Sequence, residues 1–203
     1  MKTAVFSDVH GNLPALERFV EATQGVVDSY LCLGDVVNYG PWNDECLEIV
    51  RALPGIVLLE GNHERLFLGT EDLSHELPLV QAFCRHSMNC FSRPDWITGL
   101  PRVWHVGVFQ CSHTIHEMRI YPDTVVDIAC NHLIGHSHHQ FKIERSGWVL
   151  ANPGSVGQNR KWIDTVDYLV LDTTSQEVTM HSLSYNLDLF LCERGCGLGV
   201  GGG

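Results

Sequence analysis

"TAVFSDVHGN", residues 3–12, runs an apolar stretch straight into a polar turn carrying Asp8 and His10. A buried strand that stops at metal-capable side chains suits an open α/β sheet, where ligands gather at the carboxyl ends of strands. The following "LPALERFVEATQ" puts Leu13, Leu16 and Val20 at helical spacing. "SYLCLGD" is a second strand, ending at Asp35, and "DECLEIVRAL" behind Pro41 and Asn43 brings Leu47, Val50 and Leu53 onto one helical face. "GIVLLEGNH" is a third strand, ending at Asn62 and His63. The β-α-β-α-β order predicts a parallel sheet with helical crossovers. Asp8, Asp35 and Asn62 follow one another at intervals of 27 residues, about one βαβ repeat of roughly 30.

Residues 64–100 are richer in helix formers and polar residues, with no clear strand until "RVWHVGVFQCSH", which ends at His113. "DTVVDIACNH" reads as a short helix feeding the strand "HLIGH", after which "GHSHH" supplies His136, His138 and His139. "FKIE-RSG-WVLAN" and "DYLVLD-TTSQ-EVTMHSL" predict two antiparallel hairpins in a second sheet. One domain is expected over 1–190, with residues 191–203 a flexible glycine-rich tail.

The 203-residue chain carries 13 basic against 24 acidic side chains, a net charge of −11. That argues against tight nonspecific binding to nucleic acid, which needs a basic surface. It leaves phosphate substrates open, because bound divalent metals would invert the local field. No stretch is long enough to span a bilayer, and the start lacks the apolar run of a signal peptide, so a cytoplasmic protein without membrane association is expected. The eight cysteines are scattered, with no C-x-x-C pair, and are expected to be reduced and mostly buried.

Carboxylate, imidazole and amide oxygen at successive strand ends suit two adjacent divalent ions better than one. Asp-x-His places two ligands on one loop, Asp35 has two oxygens with which to bridge, and Asn62 offers a neutral oxygen. Taken singly, each motif has a plainer reading: Asp8 as a turn or cap residue, Asn62-His63 as a surface turn. Five pieces in one order, each ending a strand, outweigh those readings. His86, His105, His132, His139 and His181 are expected at the surface or as hydrogen-bonding partners, as is His75.

In "DVH", "GD", "GNHE" and "GHSH", in that order, the chain resembles the calcineurin-like metallophosphoesterase superfamily. "GDVVNYGP" and "NPGSVGQNR" make it similar to the small bacterial and archaeal phosphodiesterase branch. The resemblance covers about residues 2–185 and implies a four-layer α/β/β/α sandwich with a dinuclear site. It implies that Asp8, His10 and His138 hold one metal, Asn62, His113 and His136 the other, and Asp35 both. His63 matches the family's substrate-facing histidine, which assists the leaving group. The implied cofactors are two divalent ions, manganese first, with iron, zinc, nickel or cobalt as alternatives. The implied reaction is hydrolysis of a small phosphate ester, a phosphodiester first, by a metal-bridging hydroxide. A phosphomonoester or dinucleoside polyphosphate substrate, and a non-catalytic scaffold on the same fold, are the alternatives.

Two departures matter. The fourth motif usually reads His-Gly, whereas here Thr114 follows His113 and His116 stands as a rival ligand. Asn38-Tyr39 replaces the Asp-Arg of the protein Ser/Thr phosphatases, which argues against that branch. Asn12, Tyr39 and Arg160 are the candidate substrate contacts.

Overall fold

The structure, a computed structural model, describes residues 1–188. The domain boundary expected at 190 and the tail expected to be flexible over 191–203 lie outside them, as does the side chain of His75. The first half follows the expected alternation: β1 (Lys2–Phe6), α1 (Leu13–Thr23), β2 (Ser29–Cys32), α2 (Asn43–Ala52), β3 (Val57–Leu58), α3 (Asn62–Phe67), α4 (Pro78–Cys90) and α5 (Pro94–Ile97). The rest is strand: β4 (Val103–Val106), β5 (Phe109–Ser112), β6 (Asn131–Leu133), β7 (Gln140–Arg145), β8 (Trp148–Pro153), β9 (Thr165–Asp172) and β10 (Glu177–Ser184).

Two five-stranded mixed sheets result, ordered β10-β9-β1-β2-β3 and β4-β5-β6-β8-β7. Strands β1, β2 and β3 are parallel, as the crossovers require. Alternation along the buried strands separates two apolar layers. Phe6, Tyr30, Cys32, Val166 and Tyr168 face the helices, whereas Val5, Leu31, Leu169 and Leu171 meet Phe109, Cys111, Leu133 and Ala151 of the second sheet. The architecture is the sandwich of two sheets flanked by helices that the sequence implied. No helix among the described residues is long and apolar enough to cross a membrane.

Helix α1 lays Leu13, Leu16 and Val20 on the helix-side core as expected, with Ala15, Phe19 and Thr23 buried beside them. The structure corrects three local expectations. "RVWHVGVFQCSH" is a hairpin, not one strand, turning at Gly107 (φ 57°). The second expected hairpin, β9–β10, joins the first sheet, because β9 pairs antiparallel with β1. "DTVVDIACNH" forms no helix. Burial alternates with period two from Thr124 to Cys130, so this extended segment lays Val126 and Ile128 on Ile120, Ile134, Phe141 and Leu150 at the second sheet's outer face.

Among the described cysteines, Cys32, Cys46, Cys84 and Cys111 are buried free thiols, while Cys90 is exposed and Cys130 half-buried.

Candidate metal centre

The residues following β1, β2, β3, β5 and β6 converge at one edge of the two sheets. They bring together Asp8, His10 and His138 in one group, Asp35, His113 and His136 in another, and His63 beside His10 and Asp35. Asn62 joins the second group, its Oδ1 3.0 Å from His113 Nε2. All seven expected ligands thus lie in one cluster with the expected substrate-facing histidine. His116 is exposed on a turn, whereas His113 is buried against Asp35. Thr114 is not among the left-handed residues, so this turn does not need the family's usual glycine.

The loops hold these side chains in a costly backbone conformation. Asp8 (φ 57°), His10 (51°), Asp35 (57°), Asn38 (80°), Tyr39 (64°), His136 (68°) and His138 (57°) are all left-handed, a region that side chains rarely adopt and that clusters at functional sites. In "GHSH" the His136 and His138 rings leave a turn toward different groups. Gly61 serves close packing, since its φ is an ordinary −94°. A Cβ there would lie 2.1 Å from Asp35 Oδ1.

Each carboxylate is anchored by one oxygen. Asp8 Oδ2 accepts from the His136 N–H at 3.1 Å, and Asp35 Oδ1 accepts from the His63 N–H at 2.9 Å. The other oxygens, Asp8 Oδ1 and Asp35 Oδ2, are buried and accept no hydrogen bond. Imidazole nitrogens crowd them without aligned N–H groups: His138 Nε2 is 3.2 Å from Asp8 Oδ1, and His113 Nε2 is 3.1 Å from Asp35 Oδ2.

The rings' outer nitrogens fix their tautomers. His10, His113 and His138 direct Nδ1 at the carbonyls of Val37 (3.2 Å), Leu33 (2.9 Å) and Gln158 (2.9 Å). A carbonyl only accepts, so each Nδ1 carries a proton and Nε2 is the nitrogen that presents a lone pair to the cluster when the ring is neutral. His10 Nε2 and His138 Nε2 face each other at 3.2 Å, as do His113 Nε2 and His136 Nδ1. The lone pairs of neutral His10 and His138 aimed at each other and at the orphaned Asp8 Oδ1 have no mutual attraction, and a cation between them satisfies them.

His63 is wired the opposite way. Asn38 Oδ1 accepts from the Tyr39 N–H at 2.8 Å, so its Nδ2 donates to His63 Nδ1 at 2.7 Å. The ring's proton then sits on Nε2, making His63 a donor among acceptors.

The electrostatics agree. Burial works to raise Asp8 and Asp35, but the surrounding imidazoles, His138 foremost for Asp8 and His113 for Asp35, hold both below the ordinary carboxylate range. Burial brings His63 down to about 3 against the pull of Asp35, and burial with His113 brings His136 down to about 4. For His113, burial is outweighed by Asp35 and Asp8, which lift it to about 9. The field of the protein groups thus favours positive charge at this point.

Among the supports, the sequence motifs mark the "NPGSVG" loop but not Glu64. Glu64 is buried, with Oε2 accepting from the Asp35 and Gly61 N–H groups (both 2.8 Å) and Oε1 from Val36 (2.8 Å). Burial and the nearby Asp35 push it up to about 7. Its position three residues after a helix-starting glycine was the available signal, since such residues reach back to free N–H groups. The "NPGSVG" loop clasps the Asp8 turn: Ser155 Oγ donates to the Asp8 carbonyl at 2.7 Å, and the Gly157 N–H donates to it at 3.0 Å. Asn152 Nδ2 holds the Gly135 carbonyl at 2.7 Å.

Of the candidate substrate contacts, Asn12 is engaged within the fold. Its Oδ1 caps α1 at Ala15 N–H, and its Nδ2 donates to the Gly157 carbonyl and Tyr185 hydroxyl. Tyr39 is half-buried, with its ring 5.0 Å from both His10 and His63. Burial and then Asp35 push its hydroxyl up to about 12, opposed by Arg160, which is exposed. His139 points away, its Nδ1 on the Ser137 carbonyl and its ring against Tyr121. Three cavities border the cluster: about 500 Å³ at Asn62 and His136, about 310 Å³ at His113 and about 400 Å³ at His138.

A two-sheet sandwich whose strand ends gather carboxylates, imidazoles and an amide defines a hydrolase scaffold built around metal. The family model for calcineurin-like phosphoesterases matches residues 1–151, and the chain belongs to that family. It is 26% identical to the uncharacterized protein MJ0912 of Methanocaldococcus jannaschii, over 91% of this chain and 88% of that one. It is 28% identical to the phosphodiesterase YfcE of Escherichia coli, over 77% and 79% of the two chains. The crystal structure of a metallophosphoesterase from Sphaerobacter thermophilus superposes with a TM-score of 0.80 at 26% identity, covering 98% of this chain and 95% of that one. The hypothetical protein PH1004 of Pyrococcus horikoshii shares the fold, with a TM-score of 0.80 at 14% identity over 97% and 93%.

Proposed function

We propose that the chain hydrolyses a phosphodiester with the aid of two divalent cations. Asp8, His10 and His138 would hold one, Asn62, His113 and His136 the other, and Asp35 would be shared. The observation that carries this reading is the orphaned oxygen on each of two buried carboxylates, Asp8 Oδ1 and Asp35 Oδ2, among converging imidazoles. The donor set fits manganese first, with iron, zinc, nickel and cobalt also compatible. When bound, such ions supply Lewis acidity and lower the pKa of a water toward 7.

The chain's own residues do the rest. His63 Nε2–H would donate a hydrogen bond to the leaving oxygen and stabilise the charge it gathers, with Asn38 holding the neutral ring in the donor tautomer. Glu64 would keep the Asp35 turn rigid through its backbone bonds. Separate cavities at His136 and at His138 give room for two ester arms, which supports a diester over a monoester. The similarity to a relative named as a phosphodiesterase points the same way.

The test is metal analysis paired with a bis(p-nitrophenyl) phosphate assay. Two tightly bound ions per chain and metal-dependent turnover are expected, with Asp35→Ala retaining at most one ion. Two tightly bound ions in Asp35→Ala overturn the shared-ligand assignment. No turnover with any of manganese, nickel, cobalt or zinc favours a non-catalytic scaffold.

A further inference from the structure

The cavity of about 400 Å³ at His138 is bounded by Asn159, Lys161, Trp162, Thr165 and Asp167. His138 ties it to the reacting edge, because the same ring has Nε2 3.2 Å from Asp8 Oδ1. Trp162 is 61% exposed at this rim. A tryptophan normally carries its large apolar ring inward, so an exposed one beside a catalytic cluster calls for a reason.

The backbone around Trp162 is tied down. Asn159 Oδ1 accepts from the Lys161 N–H at 2.8 Å and the Trp162 N–H at 3.0 Å, while Asn159 Nδ2 donates to Asp167 Oδ2 at 2.6 Å. The Trp162 carbonyl accepts from the Thr165 N–H at 3.1 Å, and the neighbouring Ile163 carbonyl accepts from the Tyr185 hydroxyl at 3.1 Å. The backbone that carries the ring is therefore fixed by a built turn. The ammonium of Lys161 is 5.9 Å from its centroid, the outer limit of cation–π attraction. Lys161 and Asp167 give the cavity one charge of each sign, which suits a neutral ligand group. Hydroxyls at Thr165 and Ser184 offer hydrogen bonds to a polar edge.

We infer that this cavity is a subsite for a planar ring with a polar edge, of the nucleobase class, carried on one arm of the substrate and stacked on Trp162. The inference deepens the phosphodiesterase reading and rests on it for the substrate's phosphate. A ring stacked on Trp162 would leave its phosphate on the His138 side, next to the cluster.

The test compares adenosine 5′-monophosphate with ribose 5-phosphate, which differ only by the base, in calorimetric binding to the metal-loaded protein. Stacking of a base on an aromatic side chain corresponds to about 5- to 150-fold in affinity, and the nucleotide is expected to bind tighter by a factor in that range. Trp162→Ala should erase the difference and Trp162→Phe should keep most of it. Equal affinities in the unaltered protein overturn the inference, and so does a difference that survives Trp162→Ala. A change in oligomeric state on Trp162→Ala, with the difference intact, identifies the exposed ring as a contact between copies and also overturns it. Because binding is read without turnover, a base-dependent difference in a protein that hydrolyses no ester sinks the phosphodiesterase reading and leaves the subsite standing.

Discussion

His63 and His113 are both buried beside Asp35, yet their hydrogen-bond partners give them opposite chemistry. A carbonyl at Nδ1 leaves the neutral His113 ring a lone pair at Nε2, and an amide N–H at Nδ1 makes His63 a hydrogen-bond donor at Nε2. His63→Ala should therefore lower turnover by about 10²–10³-fold on esters of poor leaving groups. Loss on p-nitrophenyl esters, whose leaving group carries its charge unaided, should be far smaller. Equal losses on the two ester types, measured as kcat, would remove the leaving-group role. The identities of these residues were legible in "GNHE" and "SH". Their tautomers were not, because the deciding partners, Leu33 and Asn38, lie 80 and 25 residues away in the chain.

At the scale of elements, the strand ends interlock through backbone rather than through side-chain packing. Gly34 and Gly61 touch: a Cβ on Gly34 would fall 2.6 Å from Gly61 N, and one on Gly61 would fall 2.6 Å from Asp35 N. Gly61→Ala must push the β2 and β3 ends apart. Overpacking of this kind costs about 1–3 kcal/mol, so Gly61→Ala should melt measurably lower and hold less metal at the Asp35 position. A normal melt with full metal content would show that the two turns can part freely. The alternation of strand and helix was readable here because each crossover carries a complete periodic pattern. The segment 123–130 was misread because "VVDIA" suits a helix as well as a strand by composition. Only the sheet face beneath it selects the extended form. The place of β9 was likewise hidden, since its two-sided burial shows a central strand without naming β1 as the neighbour.

For the whole molecule, the cluster is a place where folding alone leaves an electrostatic deficit. Two buried carboxylate oxygens lack partners, and a cation that binds only the folded chain supplies them. Linkage gives about 4 kcal/mol of stabilisation at a metal concentration a thousandfold above Kd. For a domain of this size each kcal/mol moves Tm by about 2–4 °C. Removing metal with a chelator should thus lower Tm by roughly 8–16 °C, and restoring manganese should return it; a chelator-insensitive melt contradicts a metal-dependent fold. The sequence conveys the need for these cations through residue types and order. The clasp that completes the site comes from far along the chain: Ser155 and Gly157 grip the carbonyl of Asp8, and β9 then seals β1. During synthesis, at about 5–20 residues per second, the Asp8 turn emerges well before the Ser155 and Gly157 that grip it. A nascent chain halted before residue 155 would carry all seven candidate ligands without that grip. On the proposed metal reading, a rigid site would wait for the clasp and not for the last ligand.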